Sequence, residues 1–99
     1  MCTADESEIV ADVGDTATLN CSTLDLVDWW YQQSLNSSIQ HICSAGVMVN
    51  GFEEDGRYSL LTDGSLVIDN VTIHNSGFYS CRVTEHGVLR ILRLDVRGK

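Results

Sequence analysis

Four cysteines, three histidines and fourteen carboxylates are the groups in this 99-residue chain whose types suit metal binding, redox chemistry or acid–base work. His41 and Cys43 stand two apart, so on a strand they share a face and suit zinc. The further ligands such a site requires, His74 and His86, fall at unrelated strand ends, so ordinary surface residues and no metal are expected. Glu53-Glu54-Asp55 is a bare acidic run without the spaced oxygen ligands of a calcium loop, and reads as a solvated loop. Serine, histidine and aspartate are present, but no nucleophile elbow or activating context marks them. Gly14, Gly46, Gly51 and Gly56 are too dispersed for a phosphate-cradling loop. Catalysis and cofactor binding find no support in these residues.

The cysteines carry more information. Four in a short chain favour an oxidising compartment, and four allow three pairings. The tripeptides Asn20-Cys21-Ser22, Asn36-Ser37-Ser38 and Asn70-Val71-Thr72 are N-glycosylation acceptors and point to the secretory path. With 43% hydrophobic and 20% charged residues, the composition is that of one globular domain spanning residues 1–99. No run approaches the roughly 18 apolar residues of a membrane helix, and no basic-then-apolar leader opens the chain. The signal and anchor of a secreted or anchored protein are therefore expected outside this chain.

The net charge of −8 argues against nucleic acid and against contact with an anionic membrane. Its distribution is uneven: of six basic residues only Arg57 precedes position 82, whereas Arg82, Arg90, Arg93, Arg97 and Lys99 cluster at the end. A basic edge on an acidic body is the expectation.

The elements that must position these groups read as strands throughout. Ala17, Leu19 and Cys21 alternate with Thr18 and Asn20, a period of two with one buried face. Segments 57–62 and 65–71 flank Asp63-Gly64, a hairpin signal, with Leu66 and Ile68 pointing inward and Val71 rejoining the core after an irregularity. Tyr79, Cys81 and Val83 share one face, opposite Ser80, Arg82 and Thr84. Glu85-His86-Gly87 turns the chain into a last strand from Val88 to Val96.

Cys21, then Trp30-Tyr31-Gln32-Gln33, then Asn75-Ser76-Gly77-Phe78-Tyr79-Ser80-Cys81 set a cysteine, a tryptophan and a cysteine in order, with a tyrosine two residues before the second cysteine. Together with Gly14-Asp15, Arg57-Tyr58-Ser59-Leu60 and Ser65-Leu66-Val67-Ile68, these stretches resemble a variable-type immunoglobulin domain over nearly the whole chain. The resemblance implies an all-β, immunoglobulin-like antiparallel sandwich of about nine strands. It implies a Cys21–Cys81 disulfide between the sheets, with Trp30, Tyr79, Leu19, Leu66 and Ile68 in the core. Segment 39–55 is long enough for the extra edge strands of the variable type. Three departures stand out. Asn75 replaces a usual aspartate, leaving Arg57 a neutral hydrogen bond. The loop from Cys21 to Trp30 is short. The last strand lacks the aromatic-glycine-any-glycine bulge of antigen receptors, so a regular strand is expected there.

With Trp30 inward, alternation sends Trp29, Tyr31 and Gln33 outward; with Leu94 and Val96 inward, Leu89, Ile91 and Arg93 face out beside Arg82. An exposed patch of Trp29, Tyr31, Leu89 and Ile91 framed by Gln33, Arg82 and Arg93 has the composition interfaces select. The resemblance implies that this face pairs domains, with Gln33 in place for a reciprocal hydrogen bond. The function implied is extracellular recognition, not enzymatic: an immune-receptor-like domain binding a protein partner, a second copy or a similar domain. The alternatives are a cell-adhesion module of a multi-domain ectodomain and a soluble lectin-like domain using loop tips such as 47–56. Cys2 and Cys43 read as free thiols or a link to another chain.

Overall fold

Short alternating segments form strands wherever they occur. The computed structural model describes residues 5–21, 26–34, 36–49, 51–52, 56–83 and 87–98, and of residues 5, 6 and 87–89 the backbone alone. Among these are nine strands: β1 (Asp5–Asp12), β2 (Ala17–Leu19), β3 (Val27–Gln32), β4 (Gln40–Ser44), β5 (Val47–Met48), β6 (Tyr58–Leu60), β7 (Leu66–Ile68), β8 (Gly77–Val83) and β9 (Gly87–Arg97). A short helical turn, Ile73–Asn75, precedes β8. One sheet has the order β1-β9-β8-β3-β4-β5 and the other β2-β7-β6. This is the expected sandwich, with β4 and β5 as its extra edge strands. Pairing is antiparallel except that β1 runs parallel to β9.

The core lies between the sheets. Leu19, Leu66 and Ile68 are fully buried, as is Val71, which returns inward after Asn70 turns the chain at φ +50°. Cys21 and Cys81, 60 residues apart, are bonded across the sandwich. Closing a loop of that length contributes about 4 kcal/mol in the chain-entropy picture. The buried Tyr79 hydroxyl donates to Asn75 O at 2.6 Å and fixes the corner before β8. Burial, reinforced by Tyr58 and Tyr31, raises its pKa far above that of a free phenol.

The tryptophans are reversed relative to expectation. Trp29, expected outside, is 0% exposed and donates Nε1–H to Gly64 O at 2.8 Å, joining β3 to the β6–β7 hairpin. Trp30, expected in the core, is half-buried and faces out. Tyr31, expected outside, packs its ring 4.9 Å from that of Tyr79 and donates to Ser76 O at 2.7 Å. That inward tyrosine explains Gly77. At φ +149°, a Cβ there would lie 2.6 Å from Gln32 O and 2.7 Å from Tyr31 Cε1.

Two bulges decide further details. Between Trp29 and Trp30 the β3–β4 register slips, Trp29 facing Cys43 and Trp30 facing His41. Ile42 and Cys43 are therefore both buried while His41 is exposed, so the pair does not share a face as expected. The β8–β9 register slips between Cys81, facing Arg90, and Arg82, facing Val88. A bulge thus interrupts β9 where a regular strand was expected. The shrunken connection expected after β8 leaves the pair Val83 and Gly87 in register, and residues 84–86 lie outside those described.

The basic end of the chain does not stand alone. β1, carrying Asp5, Glu6, Glu8 and Asp12, lies beside β9, and Arg93 reaches Glu8 at 3.3 Å. Arg97 meets Asp95 at 3.2 Å and Arg82 meets Asp28 at 3.3 Å. The expected basic edge is thus offset by carboxylates at Arg82, Arg93 and Arg97, while Arg90 donates to Asn20 O and Ser7 Oγ.

Candidate functional site

Alternation along β3, β8 and β9 builds the outward face of the six-stranded sheet. From Val27 the side chains run in, out, in, out, so that Val27, Trp29 and Tyr31 fill the core side and Asp28, Trp30 and Gln32 the other. The registers align these with β8 and β9. Asp28 faces Arg82; Trp30 faces Ser80, which faces Ile91; Gln32 faces Phe78, which faces Arg93. Ile91 and Phe78 are half-buried and Arg93 is exposed.

The centre of this face is a stack. The Arg82 guanidinium carbon lies 4.4 Å over the Trp30 ring, and the His41 ring stands nearly perpendicular to that ring with centroids 5.3 Å apart. Asp28 pins the arginine from below through Oδ2, while its Oδ1 accepts from Ala45 N at 2.7 Å. A half-desolvated cation over an indole is worth about 1 kcal/mol. Trp30 Nε1 and Arg82 Nε are both buried without an acceptor among the described residues. Gln32 donates Nε2–H to Ser37 O at 3.1 Å, which holds it against the β3–β4 connection.

Of the residues expected on this face, the structure brings Arg82, Ile91 and Arg93 together. Trp29 and Tyr31 belong to the core side. Gln33 is exposed just beyond the end of β3, where it lines an open groove of about 660 Å³ with Ile73, His74, Phe78 and Arg93. The Leu89 side chain lies outside those described. Trp30 and Gln32 were missed by sequence reasoning, and the signal that finds them is Asp28. A parity that puts Trp30 inside also puts that carboxylate inside. A second recess, about 230 Å³, opens between β4 and β6 and is lined by Tyr31, Phe52, Tyr58 and Tyr79.

Among the described residues no group of three or more His, Cys, Asp or Glu side chains is placed to hold a metal ion. Cys43 is a buried free thiol whose Sγ–H donates to Val27 O at 3.3 Å, and burial raises its pKa. Cys2 and Glu53-Glu54-Asp55 lie outside those described. No helix of the described chain is long and apolar enough to cross a membrane.

Strand order, inter-sheet disulfide and tyrosine corner define an immunoglobulin sandwich of the variable type. The chain belongs to the immunoglobulin V-set family, whose domain model matches residues 4–94. It is 33% identical over 70 residues to V-set and immunoglobulin domain-containing protein 10 of Xenopus laevis, an alignment covering 71% of this chain and 12% of that protein. The chain thus spans a small part of the curated relative it matches. The fold is similar to that of Drosophila Semaphorin 2a (TM-score 0.72, 18% identity, 97% of this chain and 15% of that one). It is also similar to the extracellular domain of the voltage-gated sodium channel β4 subunit (TM-score 0.69, 19% identity, 100% and 91%). The first immunoglobulin domain of the mouse polymeric immunoglobulin receptor gives a TM-score of 0.66 at 17% identity, covering 93% and 90%.

Proposed function

We propose that this chain is an extracellular recognition domain that binds a protein through the outward face of its six-stranded sheet. The observation carrying this reading is the row Trp30, Ser80 and Ile91, flanked by Phe78 and Arg93, on an open sheet. Aromatic, aliphatic and arginine side chains clustered on one surface form the kind of patch interfaces use. The disulfide fits an oxidising compartment. The partner we favour is a second V-type domain, of this chain or a similar one. The face keeps its charges locally paired, Arg82 with Asp28 and Arg93 with Glu8, so two copies meet without strong repulsion despite a net charge of −8. A role in adhesion between cells is the second reading. It is favoured by likeness to the sodium channel β4 ectodomain, whose structures are described as parallel homodimers explaining cell–cell adhesion.

Light scattering on the chain, on Ile91→Asp and on Thr18→Asp tests the proposal. Dimers for the chain and for Thr18→Asp, with a monomeric Ile91→Asp, are expected at micromolar concentration. A monomer in all three sinks the homodimer.

A further inference from the structure

The three asparagines that head acceptor tripeptides are all exposed, and none lies on the outward face of the six-stranded sheet. Asn20 continues the outward side of β2, following Thr18 and alternating with buried Leu19 and Cys21. Its Oδ1 accepts from Ser65 Oγ at 3.3 Å, and no part of Asn20 is buried in the core. Asn70 sits two residues past the end of β7, held in the left-handed region at φ +50°, with its backbone oxygen accepting from Arg57 Nη1 at 3.3 Å. Ala17 pairs with Ile68, so the two asparagines project from opposite ends of the three-stranded sheet. At about 3.3 Å per residue they stand roughly 17 Å apart along the strands. Asn36 lies elsewhere, in the β3–β4 connection at the end of the other sheet.

We infer that the three-stranded sheet is the glycosylated side of this domain, with N-linked oligosaccharides at Asn20 and Asn70 spanning it end to end. Each is installed by transfer from a polyprenyl-pyrophosphate-linked oligosaccharide. The asparagine Nδ2 forms a bond to the anomeric carbon as that carbon's bond to the pyrophosphate oxygen breaks. Polyprenyl pyrophosphate leaves, and the amide gives up one proton. Bulky polar chains at both ends of β2 and β7 screen Thr18 and Val67 from other proteins. Contact is thereby confined to the opposite sheet. The inference goes beyond the recognition reading, since occupancy is measured without any partner.

The test is secretion of the chain from eukaryotic cells behind a cleavable leader, followed by enzymatic release of glycans in heavy-oxygen water and peptide mass spectrometry. Isotope-labelled aspartate is expected at positions 20 and 70, and Ser22→Ala and Thr72→Ala each remove one glycan while keeping the asparagines. Occupancy at neither position, at only one, or at Asn36 alone overturns the inference. Hydroxyl-radical footprinting before and after glycan release reads the shielding. Labelling at Val67 is expected to rise while Phe78 and Ile91 stay constant. No change at Val67, or an equal rise on both sheets, overturns it as well.

Discussion

Arg57 meets Asn75 through a hydrogen bond to a neutral amide, not an ion pair, its Nη1 lying 3.5 Å from Asn75 Oδ1. The same oxygen accepts from Thr72 N at 2.8 Å, and the amide nitrogen donates to Tyr58 OH at 2.9 Å. Asn75 is thus a junction of three segments, and its backbone oxygen anchors the Tyr79 corner.

Asn75→Asp is expected to stabilise the domain by about 1 kcal/mol, because a carboxylate accepts from Arg57 and Thr72 more strongly than an amide, with the Tyr58 hydroxyl turning from acceptor to donor at the second oxygen. In a domain of this size that raises Tm by about 4–8 °C. The introduced carboxyl, favoured when ionised, has a folded-state pKa below its unfolded value. The gain is therefore present at neutral pH and lost as pH falls through the folded-state pKa. Calorimetry at pH near 7 and near 3 checks both halves, and equal gain at both refutes the ionic origin.

The two tryptophans separate by cost. Trp29→Ala removes a fully buried indole and its bond to Gly64 O, at about 3–5 kcal/mol. Trp30→Ala removes a half-exposed ring under Arg82, at about 1 kcal/mol. Urea unfolding of both variants measures this, and the opposite ranking would restore Trp30 to the core.

Gly77→Ala places a Cβ against backbone oxygen and the Tyr31 ring, neither of which can give way. A loss of roughly 3 kcal/mol is expected from the clash and the positive φ together. Tyr31→Ala in the same background is expected to recover only part of it, since Gln32 O remains. Denaturation midpoints for the single and double variants decide the matter.

Alkaline pH is expected to weaken the fold. Burial raises the pKa of Cys43, of Tyr31 (helped by Tyr58) and of Tyr79. Each group holds its proton more tightly folded than unfolded, so its contribution is complete below the unfolded pKa and is lost as pH rises. Stability should fall from about pH 9, where the unfolded thiol titrates, and more steeply above about pH 10, where unfolded phenols do. Denaturant midpoints across this range follow the decline. At neutral pH, Cys43 should react with an aromatic disulfide reagent only after unfolding.

Most of the sandwich was readable because its determinants are local. Leu19, Leu66, Ile68, Tyr79 and Cys81 announce their inward face by strict alternation. The parity of β3 was not, since Trp29-Trp30-Tyr31 offers three aromatics in succession and any of them fits a core. Only Asp28, a carboxylate with no inward partner, breaks the tie. The two register slips were not legible either. Neither carries a glycine or other mark in sequence, and each arises where a strand must fit neighbours brought in from distant segments. The outward face of the six-stranded sheet therefore kept Arg82, Ile91 and Arg93 but exchanged Trp29 and Tyr31 for Trp30 and Gln32.

The parallel pairing of β1 with β9 has a mechanical side. Asp5 faces Arg90 and Asp12 faces Arg97, so β1 begins at one end of the sheet and β9 finishes at the other. Tension applied between those two ends runs along both strands in opposite directions. It loads all eight register pairs together in shear, whereas an antiparallel neighbour pulled from one end would be peeled open pair by pair. A domain laced in this way takes a pull between those two strand ends with the whole ladder sharing the strain.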